Sequence, residues 1–261
     1  MKFENKHSSI ELASNGVGTL TIRQAGHLNI LSSTVIVSLL EGFAHVQNHP
    51  DFRVLIVRGE GDKAFVAGAD IKEMAALNAS NATSFIDKLR QLCDAPRLLP
   101  IPVIARIPGW TLGGGLEFAL CCDLRVASTN AKMGMPEVKV GIPSIIHAAL
   151  MPRLIGKTRA NWLLLTGEVV DADKALSWGL VDQLVSPEEL DSEVNRLADS
   201  LAELGPKVLA QQKRLLREWE DEPADVSIMN GVKEFASAYK TGEPEQYMRK
   251  FLGQKVKKHQ G

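Results

Sequence analysis

No run of apolar residues in this chain approaches the ~20 needed to cross a bilayer, and the opening Met1-Lys2-Phe3-Glu4-Asn5-Lys6-His7 lacks the apolar centre of a secretion signal. A cytoplasmic protein that does not engage a membrane is the expectation. A dominant charge is missing too: 30 Lys and Arg stand against 31 Asp and Glu, a formal net charge of -1. That leaves no electrostatic footprint for nucleic acid, and the helical segment 84–93 has Lys88 and Arg90 as its only cations. Cysteine is scarce, and Cys93, Cys121 and Cys122 are odd in number, with the adjacent pair in an apolar stretch. They read as reduced core residues and not as a disulfide framework.

Several kinds of chemistry lack their parts. The histidines His7, His27, His45, His49, His147 and His259 form no helical pair at metal-ligand spacing with a third ligand, and no cysteine pair stands near one in sequence. No metal is expected, and His45 and His49, four apart, read as surface residues. There is no Gly-x-Ser-x-Gly elbow, since Ser144 stands between Pro143 and Ile145. Gly156-Lys157-Thr158 ends like a phosphate loop, but Met151 occupies the place of its first glycine. Gly59-Glu60-Gly61-Asp62-Lys63-Ala64 fits the loose dinucleotide pattern, yet Phe65-Val66-Ala67-Gly68 does not begin a helix.

What is present is an ordinary globular composition, 45% hydrophobic over 261 residues, enough for one large domain or a domain with an appendage. Alternation over residues 8–23 predicts a hairpin, and Ser32 opens a helix through Val35, Leu39, Leu40 and Phe43. Buried-type strands are predicted at 54–57, 102–105 and 124–127, with helices at 84–93 and 116–122. Strand followed by helix, repeated, argues an α/β core. From about residue 187 only helical periodicity remains, with much apolar surface and little local core, which predicts packing on the first part or on another subunit.

The most informative segment is Leu112-Gly113-Gly114-Gly115-Leu116-Glu117, with Ala67-Gly68-Ala69-Asp70 upstream and Met135-Pro136-Glu137 downstream. Three glycines let the backbone approach a ligand closely, and the first amides of a helix starting there would point at it. Glu117 interrupts an apolar helix, where a buried carboxylate needs a partner or a task, although a carboxylate in a first helical turn also suits the helix dipole. Glu137, after a proline in a loop, could equally be a surface carboxylate. Spacing does not bring the two together.

These segments resemble the crotonase, or enoyl-CoA hydratase/isomerase, superfamily. The resemblance covers nearly the whole chain and is carried by Ala64-Phe65-Val66-Ala67-Gly68-Ala69-Asp70-Ile71-Lys72-Glu73-Met74, the triple-glycine segment with Asp123, Gly134-Met135-Pro136-Glu137, and Leu163-Leu164-Leu165-Thr166-Gly167 with Ala175 and Trp178-Gly179-Leu180-Val181. It implies an α/β, crotonase-like spiral of ββα units over residues 1–190 and a helical trimerisation region over 191–261, in a homotrimer or homohexamer. It also implies an oxyanion hole made by the amides of Ala69 and Gly114. Glu117 and Glu137 would then add water to an enoyl-CoA, Glu117 assisting attack at C3 and Glu137 delivering a proton to C2. The CoA moiety would lie along His27, Leu28, Ala67, Ala69, Asp70, Ile71 and Lys72, with Lys72 on a phosphate, and no dissociable cofactor would be required. Isomerisation or carbon-carbon cleavage through the same enolate is the alternative within the family; a non-catalytic acyl-CoA-binding or RNA-binding member is the alternative outside catalysis.

One stretch departs from the family pattern. Many relatives continue after the second glutamate with a proline and a glycine-rich turn, whereas this chain has Gly141-Ile142-Pro143-Ser144-Ile145-Ile146-His147. Ile145 and Ile146 read as core more readily than as pocket wall, and His147 as a histidine on the helix surface or behind the site.

Overall fold

The alternation over residues 8–23 does form a hairpin. The computed structural model describes residues 2–258, and β1 (Lys2–Glu4), β2 (Ser8–Leu12) and β3 (Val17–Ile22) run antiparallel in turn. Ser32 caps α1 (Ser33–Gln47), its hydroxyl accepting from the Val35 amide, while Val35, Ile36, Leu39, Phe43 and Val46 bury one face.

The chain then repeats one unit. β4 (Val54–Gly59) leads to β5 (Ala64–Val66), the short helix α2 (Ile71–Ala75) and α3 (Ala82–Leu98). β6 (Val103–Ile107) leads to β7 (Trp110–Leu112) and α4 (Gly114–Leu120). β8 (Leu124–Ser128) leads to β9 (Lys132–Gly134), two 3-10 turns at Pro136–Val140 and His147–Leu150, then α5 (Met151–Ile155) and α6 (Lys157–Thr166). β10 (Val169–Asp171), α7 (Ala172–Trp178) and β11 (Gln183–Val185) complete the sheets. Four helices follow: α8 (Leu190–Ala202), α9 (Pro206–Glu218), α10 (Ala224–Tyr239) and α11 (Glu243–Lys258).

In each repeat the first strand joins a seven-stranded sheet, β1-β2-β3-β4-β6-β8-β11, and the second joins a four-stranded sheet, β10-β9-β7-β5. This is a spiral of ββα units. The long sheet is parallel from β3 onward, and β5, β7 and β9 are parallel in the short one. Every residue of β6 is buried, as a parallel strand covered on both faces requires. On one side lie α1 and α3 with the main core; on the other, Val54, Ile56, Ile104 and Val126 meet Leu190, Val194, Ala198 and Ala202 of α8. The change to helices near residue 190 is therefore no break in packing, because α8 closes the outer face of the long sheet.

A buried ion pair ties α9 to this core. The Lys213 ammonium donates to the Pro96 and Ile101 carbonyls at 2.6 and 2.8 Å and to Asp123 Oδ2 at 2.7 Å, an oxygen that also accepts from the Val103 amide. All three of its protons are used. Burial pushes the Asp123 carboxyl up and the Lys213 amine down, and each is opposed by the other's charge. Lys213→Ala, which leaves Asp123 without its counter-ion, is expected to lower unfolding free energy by about 3 kcal/mol. Urea denaturation checks this, and a loss below about 1 kcal/mol would show that α9 is held by other contacts.

Candidate active site

The three parallel strands of the short sheet end on the same side, and each is followed by one part of the site. β5 runs into Ala67-Gly68-Ala69-Asp70, β7 into Gly113 and the start of α4, and β9 into Met135-Pro136-Glu137. Ligands bind at the carboxyl ends of parallel strands because loops there converge while the backbone donors beyond the last ladder bond lack strand partners. A cavity of about 670 Å³ opens at this edge, lined by Ala69, Gly114, Glu117 and Glu137 and walled by apolar side chains from α2, α3 and the 142–145 segment.

The glycines are demanded by three separate approaches. Gly113 has φ +53°, and a Cβ there would lie 2.6 Å from Glu137 Oε1. A Cβ on Gly114 would meet the Leu89 side chain at 2.9 Å, and one on Gly115 would strike the Val66 carbonyl oxygen at 2.1 Å. The Gly113 amide is bonded to the Gly134 carbonyl, whereas those of Ala69 and Gly114 have no hydrogen-bond acceptor among the described residues. Both residues line the cavity. Ala69 is held by its neighbours: Leu31 donates to the Gly68 carbonyl, Asp70 donates to the Leu31 carbonyl, and Ala67 donates to the Leu28 carbonyl, each at 3.0 Å. Buried Asn29, at φ +53°, anchors this 28–31 strip by donating to the Ala64 carbonyl.

Glu117 is buried in the first turn of α4, where Oε1 accepts from the Ala148 amide at 2.7 Å. Burial pushes its carboxyl up to about 7; the Ala148 bond opposes this and the Glu137 charge adds to it. Glu137 is raised as well, chiefly by burial, against a 2.9 Å hydrogen bond from the Ser144 hydroxyl. Two carboxyl groups 20 residues apart in sequence thus share one cavity and feel one another's charge. Glu117 is poised to exchange a proton near neutrality, and burial shifts Glu137 in the same direction.

The remaining expected residues divide. Ala67 and Ile71 line the cavity beside Ala69; Leu28 contributes its carbonyl to the strip behind them, and His27 and Lys72 are exposed and do not line the cavity. The Asp70 side chain is turned away, capping α2 through the Lys72 and Glu73 amides. Ile145 and Ile146 part company, contrary to the shared core role expected for them: Ile146 packs on the core, whereas Ile145 is 56% exposed and lines the cavity. Of the two places expected for His147, it takes the one behind the site. Its Nε2 bonds Asp94 Oδ1 at 2.9 Å, and it stands beside Cys121 and Cys93, which no spacing in sequence connects to it. The His45 and His49 rings lie tilted at 37° with centroids 4.0 Å apart at the C-terminal end of α1, and His259 lies outside the described residues. Sequence reasoning missed the Ala148 amide and Asn29 altogether and considered Ser144 only as a nucleophile, since none of the three roles has a spacing signature.

Comparison with known proteins bears on the family and the fold. The family model described as enoyl-CoA hydratase/isomerase matches residues 12–256. The chain is 35% identical to a crotonyl-CoA hydratase of Syntrophomonas wolfei over 237 residues, covering 90% of this chain and 91% of that protein. It is 35% identical over 222 residues to an (E)-benzylidenesuccinyl-CoA hydratase of Thauera aromatica, covering 83% and 84%. A solved enoyl-CoA hydratase subunit from Geobacillus kaustophilus superposes with a TM-score of 0.88 at 31% identity, covering 95% of this chain and 96% of that one. Fold, the placing of both carboxyl groups and sequence similarity over nearly the full length put this chain in the enoyl-CoA hydratase/isomerase family.

Proposed function

We propose that the protein is an enoyl-CoA hydratase, adding water across the double bond of a trans-2-enoyl-CoA. The observation that carries this is the convergence of two acceptorless backbone amides and two carboxyl groups, both pushed up by burial, on one apolar cavity. In this reading the thioester oxygen sits between the Ala69 and Gly114 amides. Glu117 takes a proton from water as its oxygen attacks C3, electrons move onto the thioester oxygen, and the resulting enolate collapses as Glu137 protonates C2. Losing one such donor typically costs about 3 kcal/mol of barrier. Water and the enoyl thioester balance the reaction, so no dissociable cofactor is required and CoA enters as part of the substrate.

The apolar wall from Met74, Leu77, Phe85, Ile86 and Ile145 suits an acyl chain, and the exposed Lys72, next to the lining residue Ile71, is the cation we assign to a CoA phosphate. Turnover in heavy-oxygen water, read by mass spectrometry, tests the proposal: a 3-hydroxyacyl-CoA carrying one solvent oxygen is expected. A shifted double bond without label would make it an isomerase, two carbon fragments a lyase, and tight binding without product a binding protein.

We infer further that the working form is a homo-oligomer, a trimer or hexamer. Ile228, Val232 and Phe235 of α10 are 73%, 71% and 67% exposed along one helical stripe, more apolar surface than a lone protomer normally leaves in water. Light scattering should return a multiple of the 28.5 kDa protomer, and a monomer at micromolar concentration would refute this. A cytoplasmic setting suits three free, buried cysteines, and no helix among the described residues is long and apolar enough to cross a membrane.

A further inference from the structure

Behind Glu117 three segments bring together donors that the hydration chemistry does not use. Cys93 lies on α3, Cys121 directly follows α4, and His147 opens the second 3-10 turn; their two sulfurs and a ring nitrogen lie within 4.8 Å of one another. His147 Nε2 faces Asp94 Oδ1 at 2.9 Å. A carboxylate only accepts, so Nε2 carries a proton, and the neutral ring keeps its lone pair on Nδ1. Nδ1 is buried with no nitrogen or oxygen partner among the described residues, and the ring interacts instead with the Cys121 sulfur. One ring nitrogen held by a carboxylate and the other turned toward thiols is the arrangement of a metal-binding imidazole.

Two sulfurs and one imidazole nitrogen form a soft donor set that selects a thiophilic cation over Mg²⁺ or Ca²⁺. Around tetrahedral Zn²⁺, bonds of about 2.3 Å to sulfur and about 2.0 Å to nitrogen place donors a little under ~4 Å apart. Donors spread over at most 4.8 Å need only small side-chain rotations to reach that geometry. The cluster is also reachable: the Asp94 side chain is 29% exposed and that of His147 11%, so one side-chain layer separates it from solvent.

We propose that Cys93, Cys121 and His147, with Asp94 behind the imidazole, bind a zinc-like thiophilic divalent cation beneath the Glu117 carboxyl. On binding, each ligating thiol releases its proton to solvent and forms a sulfur-metal bond; nothing is oxidised or reduced. The site is joined to the catalytic carboxyl at two points. Cys121 is one helical turn from Glu117, and His147 precedes Ala148, whose amide holds Glu117 Oε1. Drawing both inward shifts the carboxyl, so an occupied site slows turnover.

The test needs no substrate, so its outcome is independent of whether the chain is a hydratase. Reduced, chelator-treated full-length protein is titrated with Co²⁺ as the probe and then with Zn²⁺ in competition. One equivalent should bind with the near-ultraviolet absorption of a cobalt-thiolate bond, and Zn²⁺ should bleach it. Cys93→Ser and Cys121→Ser should each weaken binding and, with one thiolate left, cut the band at least by about half, and His147→Gln should weaken binding at least about tenfold; a band of undiminished strength in Cys93→Ser counts as survival. Cys122→Ser should keep it, because that thiol faces the Phe118 carbonyl outside the cluster. Circular dichroism verifies each fold, and if Cys121→Ser does not fold, Cys93→Ser and His147→Gln decide. No band in the native protein, a band that survives in Cys93→Ser, or one lost equally in Cys122→Ser would overturn the proposal.

Discussion

Glu117→Gln should cut hydration about 10²- to 10⁴-fold and yet leave the fold more stable than the native protein above neutral pH. The two effects have one origin. The native carboxyl titrates at about 7, against 4.5 for an ordinary glutamate, because α4 and its neighbours exclude water from it. The folded state therefore binds that proton more tightly than the unfolded chain does, and holding the charge costs roughly 3 kcal/mol once pH exceeds both values. A glutamine can still accept from the Ala148 amide without carrying the charge. Its stabilisation should be largest near about pH 8, fade as pH falls through 7 and vanish below 4.5. Chemical denaturation of both proteins across pH checks this. Equal stability throughout would mean that the carboxyl ionises normally, and unchanged turnover would remove Glu117 from the chemistry.

The glycines following β7 should fail in three different ways when each becomes alanine. At Gly113 the new methyl falls 2.6 Å from Glu137 Oε1, in a backbone conformation that alanine resists. Turnover should drop about as far as in Glu137→Gln, by 10²- to 10⁴-fold, with about 1 to 3 kcal/mol of stability lost to strain and acyl-CoA affinity retained. At Gly114 the methyl meets the tip of Leu89, which can rotate, so the effect is mildest. At Gly115 it meets the Val66 carbonyl oxygen at 2.1 Å, and rigid backbone cannot yield. That variant should melt far lower or fail to accumulate, because α4 can no longer rest on β5. Thermal melting, turnover and acyl-CoA titration on the three variants separate these outcomes; equal behaviour would mean that the close approaches do not govern the site.

The long elements were legible in the sequence for a physical reason. α1 carries its period over 15 residues, and residues 54–57 of β4 and 103–105 of β6 are apolar without interruption because both of their faces are covered. β5, β7 and β9 have three residues each, too few for any alternation, and their pairing is long-range. Those are the strands that deliver the amides and carboxyl groups to one edge, so local pattern could suggest the parts of the site but not their assembly. Glu137 shows the gap most clearly: a loop carboxylate by its neighbours in sequence, it is placed in the cavity by β9 and held by Ser144. The cluster around His147 was hidden likewise, since its donors come from α3, the end of α4 and a 3-10 turn.

The strip from Leu28 to Leu31 fastens the Ala69 loop through main-chain bonds alone, which separates what performs the reaction from what chooses the reactant. Exchanging Met74, Leu77 or Ile145 alters no atom that grips the thioester oxygen, so natural variation can remodel the acyl wall while the chemistry is inherited intact. A scaffold of this kind diversifies by changing its guests.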